Sequence, residues 1–182
     1  VNCAGLGSTE LTGESMYPLR TALVQVHNDG RRMPRITAAH CLTDDAGIEG
    51  QNTVAVIPRG TDRLVLGELI EPGKTATDLT LDSHRPTQQL LTRCIEFLPM
   101  LREAQLVAAR PVRIGLLPAR PGGPRVEHQP GTRILHNVGH GAAALTLSWG
   151  CALRIVELLQ QADDKVTVVA DKVAGAALAL AS

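Results

Sequence analysis

Alternating apolar and polar positions predict short strands in the first third of the chain. Residues 22–26 and, more weakly, residues 35–38 show the period of two that is typical of a half-buried strand. Residues 54–57 and 64–66 flank a turn over residues 58–63, which predicts a hairpin. Because these elements are short and close together, the pattern favours an antiparallel meander over a parallel sheet.

Helical spacing appears further along the chain. Residues 83–97 place apolar side chains three and four positions apart, with Ser83 as the candidate N-cap and Pro99 just beyond the end. The stretch over residues 110–123 is rich in glycine, proline and arginine, which predicts strand and loop. A last strand is predicted over residues 165–170.

The strongest local signal is a strand that turns into a long helix through two glycines. Residues 133–138 predict the strand, Gly139 and Gly141 bracket a tight loop, and residues 142–160 predict the helix. Such a turn brings unpaired N–H groups and the positive end of the helix dipole to one place, which stabilises negative charge. From spacing alone, a tight turn that needs glycine only for its dihedral angles is the competing interpretation.

The predicted helix also carries an apolar stripe. Five side chains fall roughly on one of its faces: Leu145, Trp149, Leu153, Val156 and Leu159. We therefore expect this face, including Trp149, to pack in the protein core.

The composition is that of an ordinary globular domain. The chain has 182 residues, 44% of them hydrophobic, which is enough for one core. A formal net charge of +0 predicts no nucleic-acid partner, and no stretch reaches the roughly 18 apolar residues of a membrane span, so no membrane partner is expected. The four cysteines contain no C-x-x-C pair, which favours a reducing compartment and a cytoplasmic location.

The sequence predicts no metal site. His136 and His140 have the spacing of two ligands on one helix face, but Gly139 and the preceding strand pattern argue against a helix there. No third ligand is evident in the sequence, so we expect no metal.

The longest recognisable motif surrounds the glycine loop. It runs His136-Asn137-Val138-Gly139-His140-Gly141-Ala142-Ala143-Ala144-Leu145-Thr146-Leu147-Ser148-Trp149-Gly150-Cys151-Ala152. This segment resembles the signature of the flavin-dependent D-amino-acid oxidase family, H-N-x-G-H-G-G-x-G-x-T-x-x-W-G-C-A. Agreement at two glycines, a tryptophan and a cysteine makes the resemblance highly specific.

Further segments resemble the same family in the same order along the chain. They are Val1-Asn2-Cys3-Ala4-Gly5-Leu6-Gly7, Tyr17-Pro18-Leu19-Arg20, Ile57-Pro58-Arg59-Gly60 with Leu64-Val65-Leu66-Gly67, and residues 116–127. The likeness extends to about Gln160 and is collinear with the family's C-terminal half. The chain opens on an apolar stub without a methionine, so we expect it to be a fragment.

The resemblance implies an α+β fold. It consists of a mostly antiparallel substrate-domain sheet with flanking helices, plus the C-terminal strand–loop–helix of a flavin-binding Rossmann-like domain. The expected domains are a remnant of the FAD-binding domain over residues 1–15, a substrate-binding domain over residues 16–127, and a returning FAD-binding segment over residues 128–182.

The resemblance also implies a cofactor and a reaction. In the family, FAD accepts hydride from a D-amino acid, oxygen reoxidises the flavin to give hydrogen peroxide, and the imino acid hydrolyses to a keto acid and ammonia. The backbone carbonyl of Ala142 would receive the substrate amine. The implied partners are an amino acid, molecular oxygen and a separate FAD-binding half. The implied FAD contacts are Ala4, Gly141, Ala142, Ala143, Ala144, Leu145 and Thr146.

The glycine loop and the substrate lid depart from the family pattern. Ala142 and Ala144 replace two of the family's glycines, and a methyl group where φ is positive or a ring approaches closely costs on the order of 1 kcal/mol. The family's substrate-covering tyrosines have no counterpart in residues 51–56, so we expect weaker binding of typical substrates.

The arginine that holds the substrate carboxylate in a G-x-R-P motif has two candidate registers. If residues 115–118 are the motif, Leu117 occupies the place of the arginine; if residues 109–111 are the motif, Arg110 is the anchor. A planar guanidinium suits bidentate binding of a carboxylate. The match downstream through Glu127 favours the first register, and Arg110 is the candidate substrate ligand in the second.

The family's phosphate-binding G-x-G-x-x-G loop is absent, and Gly5-Leu6-Gly7 lacks both its third glycine and its acidic residue. We therefore expect the chain alone to bind FAD weakly or not at all, and to act as an oxidase only when the missing half completes it. The alternatives are a catalytically impaired pseudoenzyme or remnant of the same fold, and a related amine oxidase of the glycine or sarcosine type.

Overall fold

A computed structural model describes residues 1–42 and 53–161 and the backbone of residues 169–170. Two predictions fall partly outside the described residues. They are the absence of substrate-covering tyrosines, at residues 51–52, and the last predicted strand, at residues 165–168. The chain divides into two compact units, and the domain boundaries expected from the sequence remain a prediction. The first unit comprises Val1–Leu19, Pro72–Thr75 and the described part of Leu116–Ser182, and the second comprises the described part of Arg20–Glu71 and Ala76–Gly115.

Strands outnumber helices in the described residues. The strands are β1 (Asn2–Cys3), β2 (Tyr17–His27), β3 (His40–Leu42), β4 (Val54–Arg59), β5 (Arg63–Pro72), β6 (Val112–Ala119), β7 (Arg125–His128), β8 (Leu135–Val138) and β9 (Val169–Ala170). The helices are α1 (Ser8–Thr12), α2 (Arg85–Phe97) and α3 (Ala144–Gln161). Short turns of 3-10 helix occupy Gly5–Gly7, Pro99–Glu103 and Gly141–Ala143.

A five-stranded sheet in the order β3-β4-β5-β2-β6 supports the core of the second unit. The predicted hairpin is confirmed: β4 and β5 pair antiparallel, and Arg59 lies opposite Arg63, so residues 60–62 form the turn. Helix α2 packs on this sheet through Leu90 and Cys94, which are fully buried. The α+β class predicted from the sequence is confirmed.

Two details of the second unit differ from the sequence prediction. Residues 35–38 form no strand, because Asn28 bonds both backbone groups of Ile36. The Asn28 Nδ2 donates to the carbonyl of Ile36 at 2.8 Å, and its Oδ1 accepts from the Ile36 N–H at 2.9 Å. Ser83 does not cap α2, because its hydroxyl bonds within the preceding turn and His84 takes the N-cap position.

A four-stranded sheet in the order β7-β8-β1-β9 belongs to the first unit. Strand β1 pairs parallel with β8 and β9, and β7 pairs antiparallel with β8. Val1, Leu135, Ile155 and Leu158 form a small apolar cluster through which α3 packs on this sheet. The predicted strand–loop–helix is confirmed, with the strand starting at Leu135 and the helix following a 3-10 turn.

Helix α3 buries a different face from the one that its apolar stripe predicts. Leu158 is 9% exposed and packs on the sheet, whereas Trp149 is 83% exposed. These two residues are nine positions apart (158 − 149), which is about two and a half turns, so they lie on opposite sides of the helix. The prediction that Trp149 belongs to the core was therefore wrong.

One helix in the described part of the chain is long and apolar enough to cross a membrane by length and composition. It runs over Gly141–Gln161, whose 21 residues give a length of about 30 Å. The expectation that no segment of the chain is long and apolar enough to span a membrane was therefore wrong. The buried core helices of other proteins have the same length and composition, but only 6% of this window is buried. The expectation of no membrane partner stays a prediction.

Candidate functional site

Two segments predicted to contact a cofactor follow neighbouring parallel strands of the first unit. Ala4 comes directly after β1, the loop of Gly139–Gly141 comes directly after β8, and Asn2 pairs with His136 in parallel register. Because parallel strands end at the same edge of a sheet, both segments lie at one edge. Ligands of sheets with parallel strands bind outside the carboxyl ends of those strands.

The turn from β8 to α3 requires glycine at two positions. Gly139 has a φ of +81° and Gly141 a φ of +53°, in the left-handed region that favours glycine. A Cβ at Gly139 would lie 2.7 Å from the Cβ of Arg120, too close for two carbon atoms. The glycines of this loop are therefore explained by backbone conformation and by close packing within the protein.

Most of the residues predicted to line a flavin lie in the 3-10 turn of Gly141–Ala143 and in the first turn of α3. Ala142, Ala143, Ala144 and Thr146 are exposed and Leu145 is 86% exposed. Gly141 is buried, as is Ala4 at 3% exposed. The turn thus presents a helix N-terminus and its partial positive charge on the surface of the unit. Whether each residue contacts a cofactor stays a prediction.

A cluster of ion pairs that the sequence did not predict packs against the glycine loop. The carboxylate of Glu14, whose side chain is 9% exposed, accepts a hydrogen bond from the Nε of Arg120 at 2.8 Å and another from Nη1 of Arg125. Burial raises the pKa of Glu14, but the bonds and charges of the two arginines outweigh it and lower the pKa overall. Since Arg120 packs against Gly139, the ion pair with Glu14 positions the side chain that contacts the loop.

A second buried network ties β1 to β8. The Nδ2 of Asn2 lies 3.2 Å from the Nδ1 of His136, and the Nε2 of His136 lies 2.7 Å from the Oε1 of Gln129. Because an amide N–H donates and an amide oxygen accepts, His136 is neutral with its proton on Nε2. The Oδ1 of Asn2 accepts from the N–H of Ala4 at 3.1 Å, so the network also positions Ala4.

One side chain at the end of β8 and one in the glycine loop have unmet hydrogen-bonding atoms. The Oδ1 of Asn137 and the Nε2 of His140 are buried and have no partner among the described residues. Burial lowers the pKa of His140, which keeps its ring neutral at neutral pH. An unmet buried polar atom costs roughly 1–3 kcal/mol, so these atoms favour binding of a group that supplies polar partners.

The two candidate positions of the substrate anchor differ in exposure. Arg110 is exposed, in the turn that precedes β6, whereas Leu117 is half-buried within β6. Arg20, from the motif at residues 17–20, is buried and engaged: its Nη2 lies 2.8 Å from the carboxylate of Glu71. Its Nε and Nη1 also donate hydrogen bonds, to Glu71 and to the carbonyl of Ala76, so all three guanidinium nitrogens are engaged within the protein. In the described residues, no group of three His, Cys, Asp or Glu side chains could hold a metal ion.

A glycine turn that presents a helix N-terminus at the carboxyl edge of parallel strands defines a nucleotide-cofactor type of site. A family model described as "FAD dependent oxidoreductase" matches residues 1–158. The chain belongs to this family, and FAD, the cofactor predicted from the sequence, is the cofactor that the family's description names.

Curated relatives carry more specific names. The chain is 34% identical over 158 residues to a D-amino-acid oxidase of Rubrobacter xylanophilus, which covers 84% of this chain and 43% of that protein. It is 29% identical over 167 residues to the human (Homo sapiens) D-aspartate oxidase, covering 88% of this chain and 43% of the relative. The chain thus spans less than half the length of the curated relatives it matches.

Solved structures agree on the fold. The crystal structure of glycine oxidase from Geobacillus kaustophilus superposes with a TM-score of 0.63 at 22% identity, covering 89% of this chain and 40% of that one. The glycine oxidase of Bacillus cereus gives the same TM-score of 0.63 at 19% identity. At these identities, the likeness shows the fold alone.

The residues present fit one part of FAD and not another. The exposed start of α3 and the unmet atoms of Asn137 and His140 suit the polar edge of the flavin ring. The sequence contains no glycine-rich phosphate loop, and α1, which follows Ala4, is only 5 residues long. The turn would therefore suit the ring, whereas the sequence has no loop of the kind that normally cradles the pyrophosphate.

We expect Glu14→Gln to lower the free energy of unfolding by about 3 kcal/mol, because Arg120 and Arg125 would lose the anion between them. Urea denaturation followed by circular dichroism measures the change. The matched control is Glu127→Gln, which removes an exposed partner of Arg125 and should cost less than about 1 kcal/mol. Equal losses in the two variants would refute a special role for Glu14.

We expect the stability of the protein to fall as pH drops from 7.5 to 5.5, in part through His136. Burial, followed by the charge of Arg125, lowers the pKa of His136 in the folded state. The unfolded chain takes up the proton near the ordinary histidine pKa of about 6.5 and the folded protein does not, so acid favours unfolding.

Thermal unfolding of the wild type and of His136→Gln across this pH range measures the effect. The variant should show a shallower pH dependence and should differ least in slope above pH 7.5, where neither state binds the proton. A variant as pH-sensitive as the wild type would exclude His136 as a source of the dependence.

Proposed function

We propose that this chain is the C-terminal part of a flavin-dependent oxidase that acts on D-amino acids. The observation that carries the proposal is the exposed start of α3, presented by the Gly139–Gly141 turn at the edge where Ala4 also lies. The names of the relatives support the substrate class, since the Rubrobacter xylanophilus protein at 34% identity is a D-amino-acid oxidase.

The role of the loop in this proposal is electrostatic. Backbone N–H groups at the start of α3 provide partial positive charge, which stabilises an electron-rich ring without any proton transfer. When bound, FAD supplies the two-electron acceptor that amino acid side chains cannot provide. Because the lowered pKa values of His136 and His140 keep both rings neutral, neither ring adds a positive charge that would vary around neutral pH.

The role of the remaining site residues is to orient the substrate. The carbonyl of Ala142 accepts a hydrogen bond from the substrate amine, which directs the alpha carbon toward the flavin. Arg110 binds the carboxylate in one register; in the other, Leu117 leaves the carboxylate without an arginine. Molecular oxygen is the second substrate of the reaction.

Leu117 favours a second candidate, an impaired member of the same family. In that case the fold is retained, but the carboxylate lacks a bidentate partner and turnover of amino acids is slow. A preference for glycine, sarcosine or D-aspartate over neutral D-amino acids is a further outcome that the same assay distinguishes.

The test uses the chain together with the complementary portion, defined as the part of the Rubrobacter xylanophilus D-amino-acid oxidase outside its matched segment. We expect the complex to show flavin absorbance and to release hydrogen peroxide from D-alanine or D-proline. If Arg110 is the anchor, Arg110→Ala should raise KM by roughly tenfold or more, because a charged hydrogen-bonded pair is worth about 1.5–3 kcal/mol.

The companion variant is Leu117→Arg. If Leu117 occupies the anchor position, this change should increase kcat/KM by a similar factor while Arg110→Ala has no effect. A complex that binds no flavin, or binds it and makes no peroxide from any of the named amines with or without Leu117→Arg, would refute the proposed function.

A further inference from the structure

A polar cavity of about 270 Å³ lies at the end of β2 and is lined by residues of the second unit alone. His27 ends the strand, and its N–H donates to the carbonyl of Gln105 at 2.8 Å. The turn that follows the strand brings Arg31 and Arg32 to the same cavity. Two segments that are far apart in the sequence therefore meet around one polar space.

The arginines give this cavity an excess of positive charge. Arg31 pairs with Asp29 through Nε and Oδ2 at 3.3 Å, and its backbone N–H donates to Oδ1 of Asp29 at 3.0 Å. Both carboxylate oxygens of Asp29 are therefore engaged. Among the described residues, Arg32 makes no hydrogen bond or ion pair. The charge that is left over in the lining is thus the guanidinium of Arg32.

We propose that this cavity binds a small oxyanion, the phosphate or carboxylate group of a metabolite, with Arg32 as its principal ligand. A planar guanidinium presents parallel N–H groups that match two oxygens of either group. The side chains of His27 and Gln105, which line the same cavity, each carry a further N–H donor. The site lies outside the candidate cofactor loop, and the proposal does not depend on the proposed function.

The turn that carries Arg32 is held in place before any ligand binds. The side chain of Asn28 bonds both backbone groups of Ile36, and the N–H of Asn28 donates to the carbonyl of Asp62 at 2.7 Å. Met33, next to Arg32, is buried in the core of the unit. Because the backbone on both sides of Arg32 is fixed, binding needs to order little more than the arginine side chain, which lowers its entropic cost.

The volume and the charge of the cavity limit the ligands that it can take. About 270 Å³ is below the roughly 300–1,000 Å³ of sites for drug-sized ligands, so the ligand is a small one. A cation would approach the guanidinium of Arg32, and the one carboxylate of the lining, Asp29, is already paired with Arg31. An apolar ligand would take polar groups out of water without giving them partners.

The test is isothermal titration calorimetry of the full chain with inorganic phosphate and, separately, with pyruvate as the carboxylate probe. Ionic strength is held constant, and neither FAD nor an amino acid is present. We expect saturable binding of at least one anion with a Kd on the order of 1 mM, and the tighter of the two identifies the group that the site prefers. Arg32→Ala should weaken binding roughly tenfold or more, because a charged hydrogen bond is lost.

The matched control is Arg35→Ala, which removes the same charge from an exposed arginine of the same segment that does not line the cavity. It should bind the anion like the wild type. Gln105→Leu keeps the net charge and removes an amide donor, so it should weaken binding by roughly threefold. Circular dichroism should show all three variants folded like the wild type, since the three residues are exposed.

The proposal is overturned if neither anion binds saturably, or if Arg32→Ala and Arg35→Ala weaken binding equally, which would indicate general attraction to positive charge. Binding that survives Arg32→Ala unchanged would assign the anion to another place, such as the start of α3, and would overturn the proposal as well. Because the titration contains no FAD and no amino acid, its failure is distinct from a failure of the flavin and peroxide assays.

Discussion

The structure of the first unit depends on the close approach of Gly139 to Arg120. The chain leaves the buried strand β8 and enters the exposed helix α3 within a few residues, and only a residue without a Cβ fits at a φ of +81° beside the Cβ of Arg120. Glu14 holds Arg120 in place through a hydrogen bond of 2.8 Å. The position of the exposed helix N-terminus is therefore determined by packed and ion-paired residues. Such packing suits a site that acts by pre-oriented charge.

The same unit has buried polar atoms without partners and apolar side chains that are exposed. Asn137 and His140 keep buried atoms without partners in the described chain, and Trp149 and its neighbours on α3 are exposed although they are apolar. These features adjoin the loop that is proposed to face the flavin. A bound cofactor would supply polar partners for Asn137 and His140, and apolar contacts would remove the exposed side chains of α3 from water.

Local elements could be predicted from the sequence, and long-range contacts could not. The hairpin of β4 and β5, helix α2 and the turn from β8 to α3 follow from periodicity and glycine placement over short segments. Glu14 and its arginines are 106 and 111 positions apart, and no local pattern indicates which charges meet. The prediction of a strand over residues 35–38 was wrong because the side chain of Asn28, and not a neighbouring strand, bonds the backbone of Ile36. Periodicity identified the stripe on α3, but it carries no information on whether this chain or another covers it.

The most direct test of the central claim is hydrogen–deuterium exchange of the chain in complex with the complementary portion, with and without FAD. If the amides of residues 139–146 face the flavin, FAD should slow their exchange, while exchange in α2 (Arg85–Phe97) stays unchanged. Binding of FAD with no change in exchange over residues 139–146 would contradict the account.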